Sequence, residues 1–280
     1  MITSLKFLRV FSALLFLCVP FFVSAHQPRI ATVSPITVTD PEISKAYYGT
    51  LPGEPVIYRI VSPTPFALYV NVLVPDISGQ KKDVSFDIFK DGYRETPLAI
   101  LKGSTFSWKK FFEPFGHDTY WQGPEYKNLV EAGTYEIQVR STHNDSKYSL
   151  AIGETESFDF KEGIHALTLI PQLKRSFFNE TPLSFILSPF GYGLIIAMFV
   201  LSFLFGFVLR LILSQMGSNI TSRRGINIAN QGRLLRFALG LIFFVWAITT
   251  SWSPLLLFVA GFCIFEACFS WCGFKALMGT

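Results

Sequence analysis

The C-terminal third of the chain contains almost no acidic side chains. Glu266 is the only carboxylate side chain after Pro182. Six basic residues occur in the same stretch, and four of them lie in one polar segment between apolar runs: Arg223, Arg224, Arg233 and Arg236. A bilayer imposes this pattern, because hydrocarbon excludes charge and leaves Lys and Arg in the cytoplasmic loops. The sequence therefore predicts a membrane protein.

The first residues have the features of a secretory signal peptide. Lys6 and Arg9 give a positive start, an apolar core spans residues 10–22, and residues 23–25 supply the small side chains of a cleavage site. We expect cleavage before His26. An uncleaved signal anchor is the alternative, and in both cases the residues that follow are exported.

Three apolar segments are expected to lie in the membrane. Residues 188–209 contain 22 residues without a charge, and as a helix they would measure about 33 Å, enough to cross a bilayer core. Residues 237–274 are interrupted only by Glu266 and carry a Ser-Trp-Ser-Pro turn signal. They predict a hairpin of two helices, 236–250 and 254–271. Because each is short, a re-entrant hairpin is the alternative.

The basic loop between these segments predicts the orientation. Lys and Arg are retained on the cytoplasmic side, so we expect the exported domain to be periplasmic and the C-terminus cytoplasmic, in a cell inner membrane. Residues 26–182 contain 16 basic and 19 acidic residues, so the net charge of +4 arises elsewhere and does not favour nucleic-acid binding. The predicted parts are a signal peptide, a β-sandwich, a juxtamembrane helix or linker, a first membrane helix, a basic loop and a helical hairpin, at residues 1–25, 26–159, 160–187, 188–213, 214–235 and 236–280.

Short strands separated by Gly, Pro and Asp dominate the exported residues. They contain no cysteine, so the fold does not depend on disulfides. We predict an all-β antiparallel sandwich, jelly-roll-like, in which the last two strands form a hairpin around residues 142–147. The strand segments that alternate or are rich in β-branched residues are 56–61, 66–74, 84–89, 135–140 and 148–152.

Residues 131–139, followed by residues 147–154, resemble the terminal hairpin of bacterial jelly-roll modules of the pre-peptidase type. In those families the module assists binding or secretion and is not catalytic. The resemblance therefore implies an accessory role for the exported domain.

Residues 160–178 have apolar positions at helical spacing, with a break expected at Pro171. A basic and aromatic patch follows, formed by Lys174, Arg175, Phe177 and Phe178. These features predict a short helix on the bilayer surface. A packed linker helix is the alternative.

The last segment resembles the small YgaP-like inner-membrane domain, a pair of helices found alone or attached to a rhodanese. Asn227, Arg233, Arg236 and Gly240 match the start of the first helix, and residues 272–279 fit the end of the second. No rhodanese active-site loop is visible, so sulfur transfer is not implied. The chain departs from the family pattern at Ala229, Gly232, Gly273 and Lys275, where a Gly, an acid, a Pro and a Tyr are usual.

Glu266 is expected to pair with Arg236 inside the membrane. If the hairpin turns near Trp252, Glu266 lies within one helical turn of Arg236. An ionisable group in a bilayer is costly and normally finds a partner or marks a pathway. We predict a structural ion pair, with a proton or ion relay as the alternative.

Cys263, Cys268 and Cys272 invite a metal or redox interpretation. Their spacing is not that of paired zinc ligands, and no His lies nearby, so inert thiols and no metal are expected. Cys272, nearest the predicted cytoplasmic face, is the thiol expected to be most reactive.

One exported segment, residues 106–126, interleaves aromatic and polar side chains in a way that suits carbohydrate rings or extended peptides. The alternative is that Phe111, Phe115 and Trp121 close the open end of the sandwich while the charges face water. Acidic residues of the domain could supply calcium ligands, but their spacing matches no EF-hand loop. The candidate ligand-binding residues are Trp108, His117, Asp118, Tyr120 and Trp121.

These observations predict a membrane-anchored, extracytoplasmic β-sandwich that acts as a non-catalytic binding or accessory module. We expect no cofactor and no enzymatic activity. Its expected partners are membrane lipid and either a membrane protein or a second copy of the chain. The alternatives are a subunit of a redox or sulfur-handling membrane system and a carbohydrate-recognition module.

Overall fold

The computed structural model describes residues 26–91, 95–157, 159–215 and 225–278. They fall into two compact units, divided between Thr181 and Pro182. The predicted signal peptide lies outside the described residues, as do Arg223 and Arg224 of the predicted basic loop.

Two β-sheets form the N-terminal unit. The strands within the described ranges are β1 Gln27–Ile30, β2 Ile36–Val38, β3 Lys45–Thr50, β4 Val56–Ser62, β5 Phe66–Pro75, β6 Ser85–Lys90, β7 Ala99–Leu101, β8 Lys109–Glu113, β9 Asp118–Val130, β10 Gly133–Arg140 and β11 Lys147–Ile152. The six-stranded sheet has the order β1-β3-β11-β5-β9-β8 and the five-stranded sheet the order β2-β4-β10-β6-β7. Predicted strand segments overlap β4, β5, β6, β10 and β11.

The sheets enclose one apolar core, to which strands of both contribute. Fully buried side chains include Tyr58, Phe86, Ile137 and Leu150. Burying a side chain of this kind contributes about 1.5–3 kcal/mol. Within the core the Tyr58 and Tyr148 hydroxyls lie 2.9 Å apart, and one donates a hydrogen bond to the other.

The sandwich is mixed, so the prediction of an all-antiparallel fold is wrong at two sheet edges. β1 pairs parallel to β3, and β2 pairs parallel to β4. The first four strands alternate between the two sheets. Each of these parallel neighbours is therefore joined by a connection that crosses the sandwich, as parallel pairing requires.

The predicted hairpin of the last two strands is also wrong. β10 pairs with β4 and β6, whereas β11 pairs with β3 and β5 in the other sheet. The turn residues between them carry the chain from one sheet to the other. Turn chemistry marks the end of a strand, but it does not specify the strand's neighbour.

Helix α1, Phe160–Gln172, begins at Asp159, whose Oδ1 accepts a hydrogen bond from the Glu162 amide at 2.8 Å. Pro171 lies inside this helix and does not end it. A π-helical turn, Leu173–Phe177, follows directly.

The helix and its π-turn pack against the six-stranded sheet, on the face opposite the sandwich core. Leu173, Phe177 and Phe178 share a buried cluster with Leu73 and Tyr120. The expected basic and aromatic surface patch is therefore wrong, because three of its four members are buried. The arrangement fits the packed-helix alternative.

The C-terminal unit is helical. A 3-10 turn, Pro182–Leu187, precedes the helix Pro189–Gln215, and a π-helical turn, Ala247–Ser251, extends the helix Asn230–Trp246. Two helical spans, Pro189–Gln215 and Asn230–Ser251, are long and apolar enough to cross a membrane, and a third is shorter. The described residues of this unit thus contain two to three apolar helices, and the sequence predicted three membrane helices. The helices are α2 Pro189–Gln215, α3 Asn230–Trp246, α4 Pro254–Phe269 and α5 Gly273–Met278.

Small residues allow α2 and α4 to approach closely. A Cβ atom on Gly206 would lie 2.4 Å from the Phe265 ring, and one on Gly261 would lie 2.2 Å from Ser202 Oγ. Small residues at helix contacts are the usual basis of packing between membrane helices. Trp252 is buried, and its indole N–H donates to the Pro182 carbonyl at 2.8 Å.

Candidate functional site

The candidate residues of the aromatic segment do not form one site. Side chains alternate along β9, so Asp118 and Tyr120 face α1 while Trp121 packs against the core between the sheets. His117 lies in the β8–β9 turn with a positive φ of 60°, and its ring meets the edge of Phe112. The five residues are therefore divided among three environments.

Both tryptophans are held by structural hydrogen bonds. The Trp108 indole N–H donates to the Gly103 carbonyl, and that of Trp121 donates to Asp76 Oδ1, each at 2.8 Å. Lys82 Nζ lies 3.8 Å above the Trp121 ring centroid. The hydrogen bonds fix the orientation of both rings, and Lys82 covers one face of Trp121. The alternative in which the charges of this segment face water fails at Asp118, which is buried, whereas Lys109, Lys110 and Glu125 are exposed.

A buried ion pair connects α1 to the β8–β9 hairpin. Lys174, only 1% exposed, donates to Asp118 Oδ1 at 2.6 Å and to the Gly116 carbonyl at 2.8 Å. Glu180 Oε2 lies 3.7 Å from the same nitrogen. The local sequence predicts a surface position for Lys174, since the partner that allows its burial lies 56 residues earlier in the chain.

The acidic groups of this cluster have shifted pKa values. Burial raises the pKa of Asp118 to about 7, although the Lys174 charge opposes the shift. Burial also raises the pKa of Glu113, against hydrogen bonds from the amides of Phe115 and Gly116. A cavity of about 50 Å³ adjoins these groups and Tyr48. It has room for water but lies far below the roughly 300 Å³ of small-molecule pockets.

Two further charged contacts hold α1 on the sheet. Both terminal nitrogens of Arg29 donate to the Glu162 carboxylate at 2.9 Å, near the start of the helix. Lys147 donates to the Ser176 carbonyl at 2.5 Å and to Asn179 Oδ1 at 2.8 Å, in the π-helical turn and just after it. With Lys174, these contacts extend from the start of α1 to the residues that follow the π-helical turn.

An open groove lies at one edge of the sandwich. It has a volume of about 470 Å³ and is bounded by β7, β8 and β9. β8 pairs only with β9 residues Asp118–Gln122, so among the described residues the β9 edge beyond Gln122 has no neighbouring strand on that side. Side chains at the groove include Lys102, Phe106, Lys109, Gln122 and Glu125.

A second polar cluster lies between α3 and α4. Arg236 Nε donates to Glu266 Oε2 at 2.9 Å, and one terminal nitrogen of Arg236 lies 3.1 Å from Cys272 Sγ. The other carboxylate oxygen, Glu266 Oε1, accepts the Gly273 amide at 2.7 Å. The arrangement satisfies the carboxylate on both oxygens, which lowers the cost of placing it among apolar helices.

Asn227, which the sequence shows only as part of a family pattern, bridges two segments of the hairpin. Asn227 Oδ1 accepts the Cys272 amide at 2.7 Å, and Asn227 Nδ2 donates to the Cys272 carbonyl at 3.1 Å. These bonds join the segment before α3 to the end of α4. Only tertiary structure shows this pairing, because the two residues lie 45 positions apart.

The three cysteines have different accessibility. Cys272 is 3% exposed, Cys263 is half-buried and Cys268 is exposed. Burial argues against Cys272 as the most reactive thiol and favours Cys268. No group of three or more His, Cys, Asp or Glu side chains suited to a metal ion occurs among the described residues.

Several solved structures are similar to parts of the chain. The match to the pre-peptidase C-terminal domain of a Bacillus anthracis collagenase covers 46% of this chain and 95% of that domain, at 7% identity and a TM-score of 0.27. The match to CorA, a surface-associated copper-binding protein of Methylomicrobium album BG8, covers 45% of this chain and 100% of the CorA chain, at 6% identity and a TM-score of 0.24. With TM-scores below 0.5, the sandwich is assigned from its own strand pairing. None of the curated proteins compared is significantly similar in sequence.

The C-terminal hairpin has a clear family match. Residues 224–280 match the family described as inner membrane protein YgaP-like, transmembrane domain. The match includes the Arg236–Glu266 pair, Asn227 and all three described cysteines. It confirms the resemblance drawn from the sequence. The chain is thus a membrane protein whose residues 224–280 are similar to the transmembrane domain of YgaP-like inner membrane proteins.

Proposed function

We propose that the protein is a membrane-anchored binding module, with its sandwich held on the extracytoplasmic side of a bacterial-type inner membrane. In this proposal the N-terminal signal peptide exports the sandwich, and the basic loop and C-terminus stay in the cytoplasm. The excess of arginine between the apolar segments supports the orientation. The helices anchor the module and bring it to a membrane-protein partner or a second copy of the chain.

The groove beside β7, β8 and β9 is the observation that carries this proposal. It combines an exposed aromatic side chain, Phe106, with the lysines Lys102 and Lys109, which make no ion pair among the described residues. An open strand edge beside such a groove suits an extended polypeptide, which can add main-chain hydrogen bonds to the sheet. A binding role therefore needs no rearrangement of the core.

A non-catalytic role is supported by the contacts of the buried acidic groups. Asp118 is bound by Lys174, and Glu113 accepts two backbone amides. Both carboxylates thus serve the attachment of α1 and the β8–β9 turn. We therefore place the activity of the module in binding and not in acid–base chemistry.

A site-specific crosslinking experiment tests the proposal. A photoreactive residue at Phe106, in the full-length protein in native membranes, should form a discrete adduct that Lys109→Glu weakens. The control position is Val61, which is 64% exposed and lies away from the groove. Equal adducts from both positions, or none from Phe106, would reject the groove as the binding surface.

Carbohydrate recognition is the second candidate, because Phe106 could stack on a sugar ring in the same groove. A glycan array probed with the purified full-length protein separates the two. Glycan binding that Phe106→Ala abolishes would favour the carbohydrate. A polypeptide adduct with no glycan signal would favour the protein partner.

A further inference from the structure

A cleft lies beside Arg233 at the end of the hairpin opposite the Trp252 turn. It has a volume of about 360 Å³ and is lined by Asn230, Arg233, Leu234, Phe237, Ala267 and Cys268. It is separate from the Arg236–Glu266 pair, and no role described above uses it.

The Arg233 side chain is fixed at one nitrogen and open at the other two. Its Nε donates to the Ala267 carbonyl at 3.1 Å, and its terminal nitrogens have no partner among the residues described here. Arg236, by contrast, uses all three nitrogens, on Glu266, Gly232 and Cys272. The open guanidinium fork of Arg233 matches the geometry of a phosphate group.

The position of Arg233 along the hairpin agrees with the depth of lipid phosphates. The helical stretch from Arg233 to Ser251 measures about 27 Å at about 1.5 Å per residue. A bilayer hydrocarbon core is about 30 Å thick. With the Trp252 turn at one boundary, Arg233 therefore lies near the headgroups of the other.

The walls of the cleft suit the apolar part of a lipid. Leu234 is 70% exposed and Phe237 is 44% exposed, and both follow Arg233 toward the hydrocarbon core. No carboxylate lines the cleft, and the carboxylate oxygens of Glu266 are taken by Arg236 and Gly273. A zwitterionic headgroup would thus place its ammonium group in the cleft with no protein carboxylate beside it. An anionic headgroup such as phosphatidylglycerol brings no ammonium group.

We propose that this cleft binds one anionic phospholipid, with its phosphate on the terminal nitrogens of Arg233 and an acyl chain along Leu234 and Phe237. The bound lipid supplies the anion that the hairpin lacks, since Glu266 is its sole acidic side chain. The site is independent of any ligand of the sandwich.

Native mass spectrometry of the full-length protein in detergent tests the proposal with phosphatidylglycerol and phosphatidylcholine as probes. We expect phosphatidylglycerol to bind at least about tenfold more tightly than phosphatidylcholine, and Arg233→Gln to remove about that factor. The control is Lys275→Gln, which removes an exposed charge outside the cleft and should leave binding unchanged. Inorganic phosphate in millimolar excess should not displace the lipid, because it lacks the acyl chain.

A second variant guards against misfolding. Leu234→Asp places a carboxylate in the cleft, leaves the Arg233–Ala267 hydrogen bond intact and changes an exposed side chain, and it should abolish phosphatidylglycerol binding. The proposal is overturned if either cleft variant binds phosphatidylglycerol as the parent protein does. Equal binding of the two lipids, or displacement by phosphate alone, would overturn it as well.

Discussion

Lys174 has an unusual position for a lysine, because its ammonium group is buried between a helix and a sheet. Charged groups are costly to bury, and the cost is offset only when partners satisfy them. Here Asp118 and the Gly116 carbonyl supply those partners. The pair consequently fixes the chain segment that leads out of the sandwich to one place on its surface.

Replacing Lys174 with Ala should loosen α1 without unfolding the sandwich core. Removal of one partner from a buried pair costs about 3 kcal/mol. Hydrogen exchange of the full-length protein should therefore accelerate across Phe160–Phe177 and stay slow in β5 and β10. Lys161→Ala, on an exposed side chain of the same helix, is the control and should change little. Unchanged exchange in the Lys174→Ala protein would contradict the role of the pair.

The raised pKa of Asp118 predicts a pH-dependent contribution to stability. Its pKa is about 7 in the fold and 3.8 as the ordinary value, so the folded state binds the proton more tightly. The stabilisation that the folded state gains by holding this proton on Asp118 is fully present below about pH 4 and is lost as the pH rises through about 7. The melting temperature of the parent protein should therefore fall relative to that of Asp118→Asn when the pH is raised from 5 to 8. A constant difference would refute the assignment.

Glu266→Gln should destabilise the hairpin, because it leaves the Arg236 guanidinium without its counter-charge. We expect a loss of about 3 kcal/mol, as for other low-dielectric pairs that lose one member. Arg236→Gln should cost a similar amount, and the double variant less than the sum of the two. Thermal unfolding in detergent measures all three. Additive losses would contradict the ion pair, and a proton flux that Glu266→Gln abolishes would favour the relay.

At the scale of the secondary-structure elements, helices α2 and α4 pack closely through small residues. Gly206→Ala should destabilise the contact of α2 with α4 by about 1–3 kcal/mol, since its Cβ would overlap the buried Phe265 ring. Gly193, on the same helix, has nothing within 4 Å of a Cβ position. Gly193→Ala should therefore be neutral or stabilising. Equal melting temperatures for the two variants in detergent would show that the close approach is unimportant.

Local sequence patterns predicted the elements better than their partners. Alternation identified β6, β10 and β11, and β-branched and aromatic content identified β4 and β5, because both signals are set by residues close together in sequence. The assignment of β10 and β11 to different sheets depends on contacts across the whole sandwich, and turn residues carry no information about them. The register that places Glu266 near Arg236 could be drawn from helix lengths and one turn. The burial of Lys174 could not, since its partner is remote in sequence.

At the scale of the whole molecule, the two units have different solvents. In the sandwich, water favours charged surfaces, and the buried charge of Lys174 is matched by Asp118. In the hairpin, acids are nearly absent, and the single Glu266 is satisfied on both oxygens. This contrast explains why composition alone indicated the membrane, whereas the binding groove depends on strand ends that no composition records.

The orientation of the chain across the membrane is the central claim, and paired reporter fusions test it most directly. A reporter that is active only in the cytoplasm, fused after Gly217 or at the C-terminus, should be active. A reporter that is active only outside the cytoplasm, inserted near Thr142 in the β10–β11 loop, should be active as well. A silent cytoplasmic reporter at Gly217, or full-length protein that stays soluble without detergent, would contradict the account.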